Sequence, residues 1–303
     1  MRVLVAGSSG VIGRQVVLVL QGAGHDVIGL TSRAPAGAAT GTTVVADALD
    51  RAALGAALRT AKPDAVVHLL TAIPARINPK KMATEFEVTN RLRTEGTRNL
   101  LDAAAEVGAS RVVSQGLAYA YRPGAGLADE DAALWTDAPA QFRPGVVALQ
   151  ELERRTVDAG GTVLRFGHLY GPGTMFAADG SFTQDIRAGR VPLVGGGHAV
   201  YSFTHTRDAA MAILAALDKD YTGALNIVDD DPAPLFEWLP FLAGHLGARR
   251  PKSAPAWLAR LAVGGWGVAF MNELRGADNT RARLMLDWRP GFGSWRDGFA
   301  AEL

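Results

Sequence analysis

Met1-Arg2-Val3-Leu4-Val5-Ala6-Gly7-Ser8-Ser9-Gly10-Val11-Ile12-Gly13-Arg14 is an apolar run that breaks into three glycines spaced three apart. That pattern predicts a strand turning at once into a helix. Gly7 permits the tight turn, Gly10 lets backbone amides approach a pyrophosphate, and Gly13 lets the helix settle close to the strand. Free N–H groups at a helix start attract phosphate. Gly7, Ser9, Gly10, Val11, Ile12 and Gly13 are therefore expected to hold a dinucleotide.

The following strand indicates which dinucleotide. NAD sites place an acid at its end to accept from the ribose hydroxyls, but this chain has Leu30-Thr31-Ser32-Arg33, with Arg14 just past the third glycine. Hydroxyls and guanidiniums suit a 2′-phosphate, so Arg14, Ser32 and Arg33 point to NADPH; a solvated Arg33 is the bland alternative. Asp47, with Ala48, follows the third strand and either meets the adenine amino group or helps cap the helix near Asp50. Leu70-Thr71-Ala72, after the fourth strand, is expected beneath the ribose and pyrophosphate.

Outward from this unit, short apolar runs alternate with Ala/Leu-rich helical stretches. Strands are predicted at residues 2–6, 27–31, 43–46, 65–69, 111–114 and 162–165, with helices near 12–21, 51–60, 86–106 and 146–159. Strands apolar on successive positions are covered on both faces, so the fold class is α/β, a doubly wound parallel sheet. After Tyr170 the pattern loosens. A helix at 208–217 and a strand at 224–228 return to the sheet, and helices at 234–246, 256–263 and 280–286 form a smaller, mostly helical lobe. The division expected is 1–170 with 203–228 for the dinucleotide, and 171–202 with 229–303 for a substrate, across a crevice at the sheet's carboxyl edge.

Composition narrows the classes. The chain has 303 residues, a formal charge of +1 and no cysteine. No field strong enough to hold nucleic acid is expected, and disulfides, thiolate metal sites and a cysteine nucleophile are excluded. No apolar run reaches the length that spans a bilayer. The expectation is a cytoplasmic protein with a small-molecule substrate, no nucleic acid or membrane partner, acting as a monomer or homodimer. The six histidines show neither H-x-x-x-H nor H-E-x-x-H spacing, so no metal is expected.

The chain resembles the extended short-chain dehydrogenase/reductases, which include sugar-nucleotide epimerases and dehydratases. The likeness rests on the glycine motif, Asp64-Ala-Val-Val-His68, Gly96-Thr-Arg-Asn-Leu-Leu101, Leu164-Arg165-Phe-Gly-His-Leu-Tyr170-Gly171-Pro172-Gly173, Ser202-Phe203-Thr-His-Thr-Arg-Asp208, Leu225-Asn226-Ile-Val-Asp229 and the tail Leu286-Asp-Trp288-Arg-Pro290…Ser294-Trp295. The resemblance implies a Ser/Thr, a Tyr and a Lys for catalysis, the last two as Tyr-x-x-x-Lys on one helical face. The five tyrosines are followed four residues later by Pro123, Ala125, Thr174, His205 and Leu225, never lysine. Gly145 and Leu149 occupy the pair's expected positions, and Gln115-Gly116-Leu117 stands where a Ser-Ser pair is usual. The chain thus resembles the family's atypical members. With 26 Arg to 5 Lys, it resembles actinobacterial reductases that tailor secondary metabolites such as aromatic polyketides.

Several groups could still act. Ser114 and Gln115 are expected near the nicotinamide, to bind a substrate oxygen or orient the carboxamide. Tyr119 and Tyr121 could supply a phenol or merely pack. Phe166 and His168 lie in a segment that contacts nicotinamide and substrate in the family, and His168 titrates in a range suited to a general acid unless backbone carbonyls satisfy it. His68 and His205 read as structural. Trp257, Trp266, Phe270 and Met271 form either a lid over a flat substrate or packing. The leading function is an NADPH-dependent ketoreductase whose substrate donates its own proton. A sugar-nucleotide epimerase or dehydratase with replaced groups, and a non-catalytic NADP(H) sensor, are the alternatives.

Overall fold

The computed structural model describes residues 1–33 and 42–303. Its main sheet is built from β1 (Arg2–Ala6), β2 (Asp26–Thr31), β3 (Thr42–Val45), β4 (Ala65–His68), β5 (Arg111–Leu117), β6 (Thr162–Phe166) and an edge strand, Gly223–Ile227. The spatial order is Gly223–Ile227, β6, β5, β4, β1, β2, β3, and every pairing is parallel. The order reverses at β1, between chains that leave in opposite directions, which is where open α/β sheets bind ligands.

Successive apolar residues along the strands feed two cores. Val3, Val5, Leu20, Ile213 and Leu217 pack on one face with α1 (Val11–Gly22) and helix Thr206–Asp218. Leu4, Ile28, Leu54, Leu58, Val66 and Leu100 pack on the other, under α2 (Arg51–Ala61). This is the expected doubly wound sheet.

Two elements depart from the sequence reading. The helix expected at 86–106 runs as Glu87–Arg91, a π-helical turn over Leu92–Gly96, and Thr97–Glu106. The helix expected at 256–263 continues to Asn272 across a break at Gly264, whose φ is +72°. A glycine can take that φ without strain, so the chain bends there and resumes.

After Tyr170 the chain makes short pairings outside the main sheet: His168–Tyr170 with Phe203–His205, Val200–Tyr201 with Ala233–Pro234, and Leu193–Val194 with Ser253–Ala254. A third, aromatic core joins Phe142 and Leu149 to Tyr201, Phe203, Trp238, Trp266, Trp295 and Phe299. Among the described residues, no helix is long and apolar enough to cross a membrane.

Candidate active site

The glycine loop sits where β1 leaves the sheet. Gly7 has φ +92° and donates its N–H to the Leu30 carbonyl at 3.0 Å. A Cβ on Gly7 would lie 2.8 Å from the Leu69 carbonyl oxygen, and one on Gly13 only 2.1 Å from that of Gly7. Only glycine fits at either place. Gly10 caps α1 without a side chain, so the first-turn N–H groups, which have no intrahelical partner, face outward. This cradle fits a pyrophosphate.

Around it, Arg14 and Val11 are exposed while Ile12 is buried. Arg14 Nε donates to the Ser9 carbonyl at 2.9 Å, laying the guanidinium over the loop. Thr31 Oγ1 donates to the Arg33 carbonyl at 2.7 Å, bending the chain after β2 and leaving Ser32 and Arg33 exposed. The capping role at α2 falls to Asp50, which accepts from the Ala52 and Ala53 amides. Asp47 accepts from Leu49 N–H at 2.9 Å, and its side chain is exposed. Ala48 is buried, and its carbonyl accepts from Asn99. Past β4, Leu70 N–H donates to His68 Nδ1 and Ala72 N–H to Thr89 Oγ1, while Thr71 is exposed.

Three expected site residues are elsewhere. Ser114 pairs in register with His68, the last residue of β4, which pairs with Ala6, the last of β1, so it stands level with the carboxyl ends of those strands, but its side chain is turned into the protein. It is buried and accepts from Thr156 Oγ1 at 2.8 Å. The strand runs on to Leu117, three residues past the predicted end. Phe166 is buried in the core with Val5 and Leu164, so its side chain is closed to any ligand. Tyr121 Oη donates to Asn226 Oδ1 at 2.6 Å and accepts from Arg165 Nη1 at 2.8 Å; burial pushes its pKa up to about 12 against the pull of Arg165. Gln115, by contrast, is partly exposed near the strand's end.

Tyr119 and His168 come together. Their rings stack with centroids 4.4 Å apart, and Tyr201 covers the other side of the imidazole at 4.3 Å, with Phe270 edge-on at 5.5 Å. His168 Nδ1 faces the Ser202 carbonyl at 3.3 Å, and Nε2 is buried without a partner. Burial lowers its pKa to about 3. The ring is therefore neutral at pH 7, with Nδ1 protonated toward the carbonyl and Nε2 an open acceptor. The general-acid role expected of His168 does not suit it. Tyr119 has its pKa raised by burial, opposed by Arg93.

Arg93, not singled out in the sequence, lies beside Tyr119. It is 5% exposed, and burial lowers its pKa, opposed by Tyr119 and Glu153. Across from it is Gly145 on helix Arg143–Asp158: a Cβ there would sit 3.8 Å from Arg93 Nη1. His68 is structural as expected, with Nε2 2.8 Å from Thr97 Oγ1 and burial, then Arg93, lowering its pKa to about 4. The late aromatics divide. Trp266 packs flat on Phe142 at 3.8 Å, Phe270 lines the His168 stack, and Trp257 is 72% exposed.

A doubly wound sheet with this loop and an oriented aromatic cluster beside it is the architecture of a nicotinamide-dependent oxidoreductase of the extended short-chain type. The chain belongs to the NAD dependent epimerase/dehydratase family, whose family model matches residues 3–227. It is 46% identical over 309 residues to a Streptomyces 3-diazoavenalumate denitrifying reductase, with all of both chains covered. Its fold is that of DesIV, a dTDP-glucose 4,6-dehydratase from Streptomyces venezuelae solved with NAD and TYD (22% identity, TM-score 0.79, 100% of this chain and 95% of that one). It is also that of the human epimerase family protein SDR39U1 with NADPH (23% identity, TM-score 0.77, 100% and 99%). A sensor without chemistry is set aside: the chain is an NAD(P)-dependent oxidoreductase.

Proposed function

We propose that the chain is an NADPH-dependent reductase of an aromatic diazo acid, releasing dinitrogen, rather than of a ketone. The observation that carries this is the missing proton donor. The crevice holds a neutral imidazole, a phenol whose pKa is raised, and no Tyr-x-x-x-Lys pair. Reducing a ketone makes an alkoxide that must be protonated, and a positioned acid contributes about 10²–10⁴-fold there. A diazonium carries its own positive charge. Hydride added to its terminal nitrogen gives a neutral diazene; the C–N bond then breaks, N₂ leaves and the hydrogen ends on carbon. No external proton enters, so a site whose one phenol is a weakened acid suffices. The full-length relative named for a diazo substrate supports the same reading.

When bound, the nicotinamide supplies the hydride. Gly7, Ser9, Gly10, Val11, Ile12 and Gly13 would hold the pyrophosphate, Asp47 the adenine, the backbone of Ala48 and Leu70–Ala72 the nucleoside side of the cleft, and Gln115 and His168 the nicotinamide end. Arg14, Ser32 and Arg33 would take the 2′-phosphate. Residues 171–202 and 229–303 would close over the substrate. Gly173 already lies against the loop, its Cβ position 3.9 Å from Val11 Cγ2, and Arg76 ties the chain after β4 to Asp185 at 2.9 Å. Orientation against the nicotinamide, worth up to ~7–11 kcal/mol in well-aligned cases, is then the main contribution of the protein.

The test offers purified protein and NADPH either 3-diazoavenalumate or an aryl ketone with a neighbouring hydroxyl. Cofactor oxidation above the protein-free rate, with ¹⁵N₂ released from labelled diazo compound, is expected only with the former. Turnover of the ketone alone would restore the ketoreductase reading. In the same preparation NADPH should bind at least about tenfold tighter than NADH, or ~1.4 kcal/mol, and Arg33→Ala should narrow the gap; equal affinities by fluorescence titration would remove the 2′-phosphate assignment.

A further inference from the structure

The structure assigns to Arg93 the task of receiving one anionic oxygen of the substrate, so that the site selects a planar, unsaturated acid (a carboxylate or an ionised phenol) over its neutral analogue. For the reaction this rests on the reductase reading above; for the binding site it does not.

Arg93 is the unusual group. Its side chain is nine-tenths buried, yet among the described residues no carboxylate lies within ion-pair distance of it and no hydrogen bond to its guanidinium is formed. The carboxylate acting on it electrostatically, Glu153, has both oxygens taken by Arg165, at 2.9 and 2.6 Å. A guanidinium stays protonated in proteins, and a buried charge without a counter-charge is costly. Such a group persists when a ligand completes it.

Its surroundings show where that ligand would sit. Asn90 Oδ1 is buried without a partner. Gly145 faces both groups, a Cβ there being 3.6 Å from Asn90 Oδ1 and 3.8 Å from Arg93 Nη1. With no side chain at 145, nothing from that helix position covers Asn90 Oδ1 or the guanidinium. An amide's oxygen and nitrogen exchange by a simple flip, so Asn90 can turn an N–H to the same anion. The neighbouring wall is aromatic: Tyr119 stacked on His168, with Phe270 edge-on. Flat rings select a flat skeleton. Tyr119 and Glu153 oppose the fall in the Arg93 pKa, and among the described residues no second cation is one of the groups acting on it. That inventory matches one negative charge and leaves a nucleoside diphosphate under-compensated.

The backbone holds Arg93 firmly. It lies in the π-helical turn Leu92–Gly96, and such turns recur at functional sites. Its carbonyl accepts from Thr97 Oγ1 at 2.7 Å, and that hydroxyl also meets His68 Nε2. The guanidinium is thereby fixed relative to β4.

The test uses non-reacting probes on the full chain with NADP⁺, by calorimetry at pH 8.5: cinnamate, 4-nitrophenolate and the neutral cinnamamide. Wild type should bind at least one anion tenfold or more tighter than cinnamamide; which anion wins separates a carboxylate from a phenolate source. Arg93→Met should erase that preference, keep NADP⁺ affinity and raise Tm; Arg93→Lys should retain part of the preference. Gly145→Leu, which fills the space while sparing Arg93, should erase it too. A wild type that does not discriminate, a preference surviving in Arg93→Met or Gly145→Leu, or an Arg93→Met protein with lower Tm and lost NADP⁺ binding would each overturn the assignment. Since nothing is turned over, failure of the diazo reading leaves this result intact.

Discussion

Helix Arg143–Asp158 meets two buried guanidiniums, one near Gly145 and one about two turns further on at Glu153, and the fold treats them in opposite ways. Arg165 is fully matched. It grips both Glu153 oxygens, the Tyr121 hydroxyl at 2.8 Å and the Glu130 carbonyl at 3.0 Å. Glu130 in turn accepts from Asn226 N–H at 2.7 Å. Gly116 makes room for the pair, since a Cβ there would lie 2.9 Å from Arg165 Cγ and 3.1 Å from Glu153 Oε1. At the other end Asn90 Oδ1 and His168 Nε2 are buried without a partner, and among the described residues the buried Arg93 side chain forms no ion pair. A closed polar network rigidifies the fold; an open one keeps its binding energy for something that arrives. The same helix serves stability at one end and recognition at the other.

The comparison can be broken most forcefully at the closed end. Glu153→Gln strips Arg165 of its counter-charge in a buried setting, where removing one partner costs about 3–5 kcal/mol. Urea unfolding should show a loss of that size; a loss below ~1 kcal/mol would mean the network is not closed.

The histidines give the next largest effect. His68 and His168 have folded pKa values near 4 and 3, below the 6.5 of an unfolded histidine. The unfolded chain therefore binds their protons first as pH falls. Their contribution is complete above pH 6.5 and is lost on acidification toward pH 4 and 3, at up to about 1.4 kcal/mol per pH unit for each ring. Between pH 6.5 and 4.5 the unfolding free energy should fall steeply, and His168→Gln should remove about half of the histidine slope. Asp229, whose pKa burial raises, works in the other direction, but it cancels in the difference between wild type and variant. A slope unchanged in His168→Gln would contradict the neutral ring.

The smallest effect sharpens the open end. Gly145→Ala places a methyl at ordinary contact distance from Asn90 and Arg93 within a helix, where alanine is worth about 0.5–1 kcal/mol over glycine. A modest rise in Tm is expected; a fall would mean that the space at 145 is already filled.

The sheet and glycine loop could be read in the chain because their determinants are local. Gly7 and Gly13 are dictated by backbone approach, and the strands declare themselves by unbroken apolar runs. Ser114 could not be placed, because Gln115-Gly116-Leu117 carries no turn signal to show that β5 continues. Tyr121 read as a loop residue, its partners Asn226 and Arg165 being distant in sequence. Arg93 stands in Thr-Asn-Arg-Leu-Arg-Thr-Glu-Gly, which resembles a solvated helix face. A signal was there: Phe86, Thr89, Arg93, Thr97, Leu100 and Ala104 form one stripe at helical spacing, and all are buried. A charge on a buried stripe marks a group waiting for a partner.

The π-helical turn makes the crevice depend on chain length as well as on side-chain chemistry. A π turn holds one residue more than the α-helix around it, and each residue of an α-helix advances about 100° around its axis. Deleting a single residue between Leu92 and Gly96 would let the helix run regularly with its flanks still in phase, re-aiming only the residues inside the turn relative to Thr97 and His68. Arg93 would leave the space before Gly145 although every neighbouring side chain survived. Insertion of one residue is the reverse event, and a single added codon at this place in a regular helix would be enough to turn a solvent-facing arginine inward.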